Sequence, residues 1–134
     1  MKKKVLLLDD NMSVIMSSIE ALCEFYDVTR CKQISIAAHR LKLYKYDLLV
    51  VDLMMPPEGL EVKDEFNAGF CFYKQYVKGK YDGIPVLFWT NLNDAPYNEF
   101  MKENGTNTLL YYLQKSDDPQ VLLNKVGEIL NKKL

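Results

Sequence analysis

The sequence lacks the long apolar segments that export or membrane insertion would require. Residues 48–51 and 85–89 are its strongest apolar runs, whereas a membrane-spanning helix needs about 20 apolar residues. Near the start, lysines are followed by only four apolar residues, 5–8, before Asp9 and Asp10, whereas a secretory signal needs roughly 7–15. We therefore expect a cytoplasmic protein that does not associate with a membrane.

Cysteine and histidine are also scarce. The three cysteines, Cys23, Cys31 and Cys71, form no Cys-x-x-Cys pair, and their odd number argues against a complete disulfide framework. His39 is the single histidine, so a soft-metal site is not expected. We predict reduced thiols, with Cys23 and Cys71 acting as small buried hydrophobic residues and His39 exposed to solvent.

An excess of charge of either sign is absent. The 17 Lys and Arg residues nearly balance the 18 Asp and Glu residues, which leaves a formal net charge of -1. Non-specific binding to a phosphate backbone needs a large positive field, so nucleic acid is not an expected ligand. The 134 residues, 49% of them hydrophobic, suffice for the core of one domain. We predict that a single domain, residues 1–134, carries the whole function.

What the chain does contain is a regular alternation of short apolar runs and amphipathic stretches. The predicted strands are 4–8, 27–30, 47–52, 85–89 and 108–113. The predicted helices begin near Ser13, Ser35, Gly69, Asp94 and Ser116, and the fourth helix ends at Gly105. Alternating strands and helices favour parallel pairing through right-handed crossovers. We therefore predict an α/β fold, a doubly wound five-stranded parallel sheet with five helices on its two faces.

Polar residues follow the predicted strands at the edge where such sheets bind ligands. They are Asp9, Asp10, Asp52, Thr90 and Lys115. Three clustered carboxylates repel one another unless a cation is present, and a donor set of oxygen atoms alone favours Mg²⁺. A carboxylate can also attack phosphorus while a metal ion and a lysine neutralise the phosphoryl oxygens. The sequence thus predicts a metal-dependent phosphoryl site.

The ordered set of motifs resembles the receiver domain of two-component response regulators. The matching segments are KVLLLDD at 4–10, YDLLVVDLMMP at 46–56, IPVLFWT at 84–90 and YLQK at 112–115. The resemblance covers nearly the whole chain and implies a stand-alone receiver domain similar to chemotaxis regulators. It also implies a flavodoxin-like sheet with strand order 2-1-3-4-5.

The same resemblance implies a role for each site residue. Asp52 would accept a phosphoryl group from a phosphohistidine of a sensor histidine kinase or a histidine phosphotransfer protein. Two residues would bind the phosphoryl oxygens, Thr90 and Lys115. The Mg²⁺ cofactor would be held by Asp9, Asp10, Asp52 and the backbone carbonyl of Met54.

Tyr112 matches the aromatic switch residue of the family, whose inward rotamer accompanies the active state. The resemblance implies a phosphorylation-activated switch that catalyses only its own phosphorylation and dephosphorylation. The expected output is onward phosphotransfer, or noncovalent binding of a downstream protein to the face formed by helix 4, strand 5 and helix 5.

Three features depart from the family pattern. Ser116 stands where a proline in a cis peptide is usual, and Asn91 stands where a small residue is usual. The extended acidic loop at about 57–68, which precedes Gly69, is longer than the family's connection. It is either a solvated insertion or a lid or partner contact beside Asp52.

Other functions are less well matched. A dehalogenase-type phosphatase needs Asp-x-Asp after its first strand, where this chain has Asp9-Asp10-Asn11. A flavin-binding flavodoxin needs a Ser/Thr/Gly-rich phosphate loop after the first strand, and this chain has none there. Neither a P-loop nor a G-x-G-x-x-G motif occurs in the sequence. The remaining alternative is a pseudo-receiver, a protein-interaction module that works without phosphorylation.

Overall fold

A computed structural model of the chain describes residues 2–10, 16–55, 68–104 and 109–132. The strands of the described residues are β1 Lys4–Leu8, β2 Asp27–Cys31, β3 Leu48–Val51, β4 Val86–Thr90 and β5 Leu110–Gln114. All are parallel, in the order β2-β1-β3-β4-β5. The helices are α1 Met16–Phe25, α2 Ile34–Leu43, α3 Ala68–Phe72 with a π-helical continuation over Tyr73–Val77, α4 Ala95–Asn104 and α5 Pro119–Lys132. The predicted fold class and strand order are confirmed.

The sheet separates two hydrophobic layers because successive side chains of a strand point to opposite faces. On one face, Leu6, Leu49 and Phe88 pack with residues of α2, α3 and α4. On the other face, Leu7 and Val50 pack with residues of α1 and α5. β3 is buried along its whole length, as expected for a strand covered on both sides.

Aromatic rings hold α3 and α4 against the sheet. Phe70 of α3 stacks on Phe100 of α4 with 4.3 Å between ring centroids, and Phe70 meets Phe88 of β4 edge to face at 5.0 Å. Beyond them the helix widens into its π-helical turn, where the Lys78 N–H donates to the Tyr73 carbonyl at 2.9 Å. The sequence pattern did not predict this widening.

Most predicted element boundaries hold to within one or two residues where the structure describes them, but α5 begins at Pro119, three residues after the predicted Ser116. Strand five is observed at Leu110–Gln114, one residue beyond the predicted end. Three predicted boundary residues lie outside the described residues: Ser13, Gly105 and Thr108. At the start of α4 the helix follows Asp94 as predicted, but the Ala95 N–H donates to the side-chain oxygen of Asn93 at 3.0 Å.

The prediction for the cysteines is wrong in part. Cys31 is the buried one, whereas Cys23 and Cys71 are half-buried; all three are free thiols. Cys31 ends β2 with its side chain in the layer beneath α2, a placement that depends on strand register. Burial raises the pKa of the Cys31 thiol, partly offset by the positive charge of Arg40. His39 is exposed, as predicted.

Among the described residues, no helix combines the length and the apolar character that crossing a bilayer would take.

A glycine inside α5 allows a test of the packing between α1 and α5. A Cβ atom at Gly127 would meet only the Tyr26 hydroxyl oxygen, at 3.8 Å, which is an ordinary contact. We expect Gly127→Ala to raise the free energy of unfolding by about 0.5–1 kcal/mol, because alanine loses less backbone entropy in a helix. Urea unfolding with an unchanged m-value measures this gain; a loss of stability would show that α1 and α5 lie closer together.

Candidate functional site

Three carboxylates meet at the carboxyl edge of the sheet. Asp9 follows β1 and Asp52 follows β3, and these strands are neighbours with Leu8 opposite Val51. The backbone ladder continues past the strands, because the Asp9 N–H donates to the Cys31 carbonyl at 3.0 Å and the Asp52 N–H donates to the Leu8 carbonyl at 2.9 Å. Oxygen atoms of Asp9, Asp10 and Asp52 all lie within 4.8 Å of one another.

Lys115 supplies the cation that two of these acids need. Its Nζ lies 2.6 Å from Asp9 Oδ2 and 3.0 Å from Asp52 Oδ2. The lysine side chain is 5% exposed, and those of Asp9 and Asp52 are 0% and 6% exposed. Its backbone is fixed as well, because the Lys115 N–H donates to the Thr90 carbonyl at 2.8 Å. The end of β5 therefore delivers a buried ammonium group to the acidic cluster.

The charges of this cluster do not balance. Asp10 is exposed while Asp9 and Asp52 are buried, and one lysine offsets only one of three carboxylates. An oxygen-only donor set with excess negative charge suits a hard divalent cation such as Mg²⁺. The residues present thus fit the predicted cofactor, with the protein providing carboxylates from two adjacent strand ends.

Two opposing effects act on the pKa of Lys115. Burial lowers the pKa of its ammonium group, but the charges of Asp52 and Asp9 and their hydrogen bonds outweigh burial, so the pKa is raised. The lysine is therefore fully charged at neutral pH. Its positive charge is available for neutralising whatever anion occupies the site.

The remaining predicted site residues lie around Asp52. The Met54 N–H donates to Asp52 Oδ1 at 3.1 Å, so the two carboxylate oxygens have different partners. Thr90 is fully buried at the end of β4, and its Oγ1 accepts a hydrogen bond from the Leu92 N–H at 3.4 Å. The structure thus brings together the acids, Lys115 and the Met54 backbone, and it places Thr90 on the neighbouring strand end.

Tyr112 is joined to the loop that follows Thr90. Its hydroxyl donates to the Leu92 carbonyl at 2.6 Å, and its ring stacks on Tyr97 of α4 with 5.4 Å between centroids. The Tyr97 hydroxyl donates in turn to the Leu110 carbonyl at 3.0 Å. Burial raises the pKa of both phenols, helped by the charge of Asp94 at Tyr112 and by Tyr111 at Tyr97.

The two single residues that depart from the receiver pattern, Ser116 and Asn91, each form a local hydrogen bond. The Ser116 hydroxyl accepts a hydrogen bond from the Asp118 N–H at 3.2 Å, which stabilises the turn between Lys115 and α5. Asn91 is exposed, and its carbonyl accepts a hydrogen bond from Gln114 Nε2 at 3.2 Å. The acidic loop predicted at about 57–68 lies outside the described residues, except for Ala68.

Sequence reasoning missed how closely Gly69 supports the site. A Cβ atom at Gly69 would lie 2.4 Å from the Asp52 carbonyl oxygen and 2.9 Å from the Leu53 Cα. The Gly69 N–H also donates to the Leu53 carbonyl at 3.2 Å. The start of α3 therefore presses directly on the backbone that carries Asp52, a contact for which the only sequence signal is a glycine at the start of a helix.

No protein-family model matches this chain, and no curated protein matches it. Solved structures do. A response regulator receiver domain protein (CheY-like) from Methanospirillum hungatei is 18% identical with a TM-score of 0.72, covering 99% of this chain and 97% of that chain. The chemotaxis protein CheY4 of Vibrio cholerae is 22% identical with a TM-score of 0.70, covering 96% and 99%. The DrrB receiver domain, described as activated by BeF3, is 20% identical with a TM-score of 0.72, covering 98% and 99%.

These likenesses extend over nearly the whole chain. They confirm the resemblance to receiver domains that the sequence predicts, and at such identities what they show is the fold.

The contact of Gly69 with Asp52 predicts a strong effect of one methyl group. We expect Gly69→Ala to lower the free energy of unfolding by about 1–3 kcal/mol, because the methyl group would clash with backbone atoms, which cannot move away by a change of rotamer. Amide resonances of residues 52–54 should shift in NMR spectra. Gly127→Ala is the matched control, since the same change there makes only an ordinary contact with the Tyr26 hydroxyl oxygen at 3.8 Å. Equal stability of the two variants would contradict the close approach.

The buried ion pairs predict a pH dependence of stability. Without metal, we expect Lys115→Met to cost about 3 kcal/mol near neutral pH, because it leaves Asp9 and Asp52 without their cation. The pKa of Lys115 is raised in the folded protein. The lysine therefore contributes fully to the free energy of unfolding at pH values below its pKa in the unfolded chain, about 10.4. This contribution is lost as the pH rises through its pKa in the folded protein. Urea unfolding of both proteins from pH 7 to the alkaline range should show this difference shrink; a constant difference would contradict the assignment.

Proposed function

We propose that this chain is a receiver domain that accepts a phosphoryl group on Asp52, with Mg²⁺, from a phosphohistidine of a sensor histidine kinase or a histidine phosphotransfer protein in the cytoplasm. One observation carries the proposal. At the carboxyl edge of a sheet with the receiver fold, Asp52 shares a cluster with Asp9 and Asp10, and its Oδ2 lies 3.0 Å from Lys115 Nζ.

The proposed reaction is a direct transfer between the partner protein and Asp52. A carboxylate oxygen of Asp52 attacks phosphorus, and a P–O bond forms while the P–N bond of the phosphohistidine breaks. The electron pair of the broken bond remains on the imidazole nitrogen of the partner. In such transfers the protein contributes mainly positioning and charge neutralisation.

This chain's residues supply both contributions. Lys115 loses its bond to Asp52 Oδ2 as that carboxylate becomes an acyl phosphate, and its ammonium group then binds a phosphoryl oxygen. The Met54 N–H, which donates to Asp52 Oδ1, fixes the rotation of the attacking carboxylate. Asp9, Asp10, Asp52 and the Met54 carbonyl would hold Mg²⁺, which when bound neutralises further charge on the phosphoryl oxygens.

The switch follows from replacing one carboxylate charge by about two phosphate charges. In the unphosphorylated protein Thr90 Oγ1 accepts a hydrogen bond from the Leu92 N–H. After phosphorylation the Thr90 hydroxyl turns and donates to a phosphoryl oxygen. Because the Leu92 carbonyl accepts the Tyr112 hydroxyl bond, a shift of this loop moves the switch aromatic. The result is a two-state change on α4, β5 and α5, where a downstream protein binds.

We propose no reaction with a separate substrate: the domain catalyses only its own phosphorylation and dephosphorylation. The pseudo-receiver is the alternative, and in that case the fold and the binding face would serve without phosphotransfer. A receiver is labelled covalently at Asp52, and a pseudo-receiver is not.

Radiolabelled phosphoramidate with Mg²⁺ tests this difference. We expect the wild-type protein to incorporate label when Mg²⁺ is present and not when Mg²⁺ is chelated beforehand. Asp52→Asn should incorporate none, since an amide oxygen is a poor nucleophile. Asp10→Asn should reduce labelling roughly tenfold or more because it removes a metal-binding charge. Phosphotransfer from candidate histidine kinases would then identify the donor.

Asp82→Asn is the matched control for these variants. Asp82 is exposed and accepts a hydrogen bond from the Gly79 N–H, which an asparagine oxygen can also accept, so labelling should stay normal. Beryllofluoride with Mg²⁺ provides an independent measurement, because this acyl-phosphate mimic should shift the amide spectrum around the site and Tyr112. Label on Asp52→Asn would refute the acceptor assignment, and an unmoved spectrum would favour the pseudo-receiver.

A further inference from the structure

The single tryptophan of the chain lies against the site lysine. Trp89 is in β4, one residue before Thr90, and its side chain is almost completely buried. Lys115 Nζ lies 5.3 Å from the centroid of the Trp89 ring. The same Nζ forms the ion pairs of 2.6 Å with Asp9 and 3.0 Å with Asp52. The ammonium group therefore has two carboxylates and one aromatic face as its surroundings.

The strand pairing explains why this contact forms. β4 and β5 are in register, with Trp89 opposite Leu113 and Thr90 opposite Gln114. Trp89 belongs to the hydrophobic layer between the sheet and helices α1 and α5, and adjacent strand residues point to opposite faces. Thr90 thus approaches the site from one side of the sheet, and the indole supports Lys115 from the other.

An aromatic face is a suitable third partner for this ammonium group. The electron-rich face of an indole attracts a cation more strongly than that of tyrosine or phenylalanine, and the attraction is largest where water is excluded. The Lys115 side chain is 5% exposed, so little water reaches the contact. Unlike the two carboxylates, the indole face is not a ligand for a metal ion or an acceptor of a phosphoryl group.

We propose that Trp89 is a positioning residue that keeps the Lys115 ammonium group in the buried site when Asp9 and Asp52 exchange it for a metal ion or a phosphoryl group. Without the aromatic face, a lysine released by its carboxylates would extend its flexible stem toward solvent. The inference rests on the proposed function, since the exchange of partners at Asp9 and Asp52 is part of it.

The chain offers a matched control for the loss of this ring. Tyr111 of β5 packs against the same hydrophobic layer, and Lys125 Nζ lies 5.8 Å from its centroid. Tyr111→Leu therefore removes an aromatic ring and its cation contact from the same face without touching Lys115. Trp89→Leu removes the ring at the site, and Trp89→Phe retains a smaller and weaker aromatic face.

The first measurement uses protein with saturating Mg²⁺ and no phosphodonor, the state in which we propose that a metal ion has taken the carboxylates of Asp9 and Asp52 from Lys115. In ¹⁵N-lysine NMR spectra, the wild-type Lys115 ammonium protons should exchange slowly enough with water to be observed. This signal should be lost in Trp89→Leu, weakened in Trp89→Phe and retained in Tyr111→Leu. A signal retained in Trp89→Leu, or lost equally in Tyr111→Leu, would overturn the inference, because either result assigns the order of Lys115 to something other than the indole.

The second measurement is the rate of phosphorylation by phosphoramidate at saturating Mg²⁺. We expect a rate about tenfold lower for Trp89→Leu, roughly twofold to threefold lower for Trp89→Phe and unchanged for Tyr111→Leu. Equal rates for Trp89→Leu and wild type would overturn the inference. A wild-type protein that takes no label would instead refute the proposed function, and the ammonium signal would still decide whether Trp89 holds Lys115.

Tryptophan emission tests the contact without a change at position 89, should Trp89→Leu fail to fold. Because Trp89 is the single tryptophan, the emission of metal-free protein reports this site alone. Lys115→Met should shift the emission, since it removes the cation over the ring, and Lys125→Met should leave it unchanged. Identical emission from Lys115→Met and wild type would contradict the contact.

Discussion

The rest of the structure depends on one buried cation between two buried carboxylates. The carboxyl groups of Asp9 and Asp52 can be buried because Lys115 Nζ lies within 3.0 Å of an oxygen atom of each; a carboxylate buried without such a partner would be strongly destabilising. The three residues come from the ends of β1, β3 and β5, so the charges meet only if the strands are parallel and correctly registered. The ion pairs and the sheet topology therefore require each other.

The same cluster suits the exchange of partners that we propose. A fully neutral cluster would gain little from binding a metal ion, whereas this one keeps negative charge beyond what Lys115 offsets. Lys115 carries its charge at the end of a long side chain, while the acids lie directly after backbone bonds that prolong the ladder. Binding of a divalent cation would take carboxylate oxygens from the lysine, and transfer of a phosphoryl group to Asp52 would offer the lysine a phosphoryl oxygen in their place. Lys115 thus connects the metal-free state to the proposed phosphorylated state.

The parts of this structure that sequence could predict are those determined by local pattern. The continuous apolar run at Leu48–Val51 and the acids after it are enough to predict a buried strand with polar residues at its end. The burial of Cys31 and the approach of Gly69 to Asp52 were not predictable, because each depends on which side chains face each other across the sheet. The contact between Trp89 and Lys115 has the same origin. The roles of the site residues stay predictions, since fold similarity at such low identity does not test them.

Three successive residues of β4 belong to different environments. Phe88 packs in the aromatic layer with α3 and α4, Trp89 lies in the opposite layer with α1 and α5, and Thr90 ends the strand at the site. Protein interiors are close-packed and transmit small displacements instead of absorbing them. A movement of this strand therefore acts on both helical layers at once, so that β4 couples the site mechanically to the two sides of the sheet.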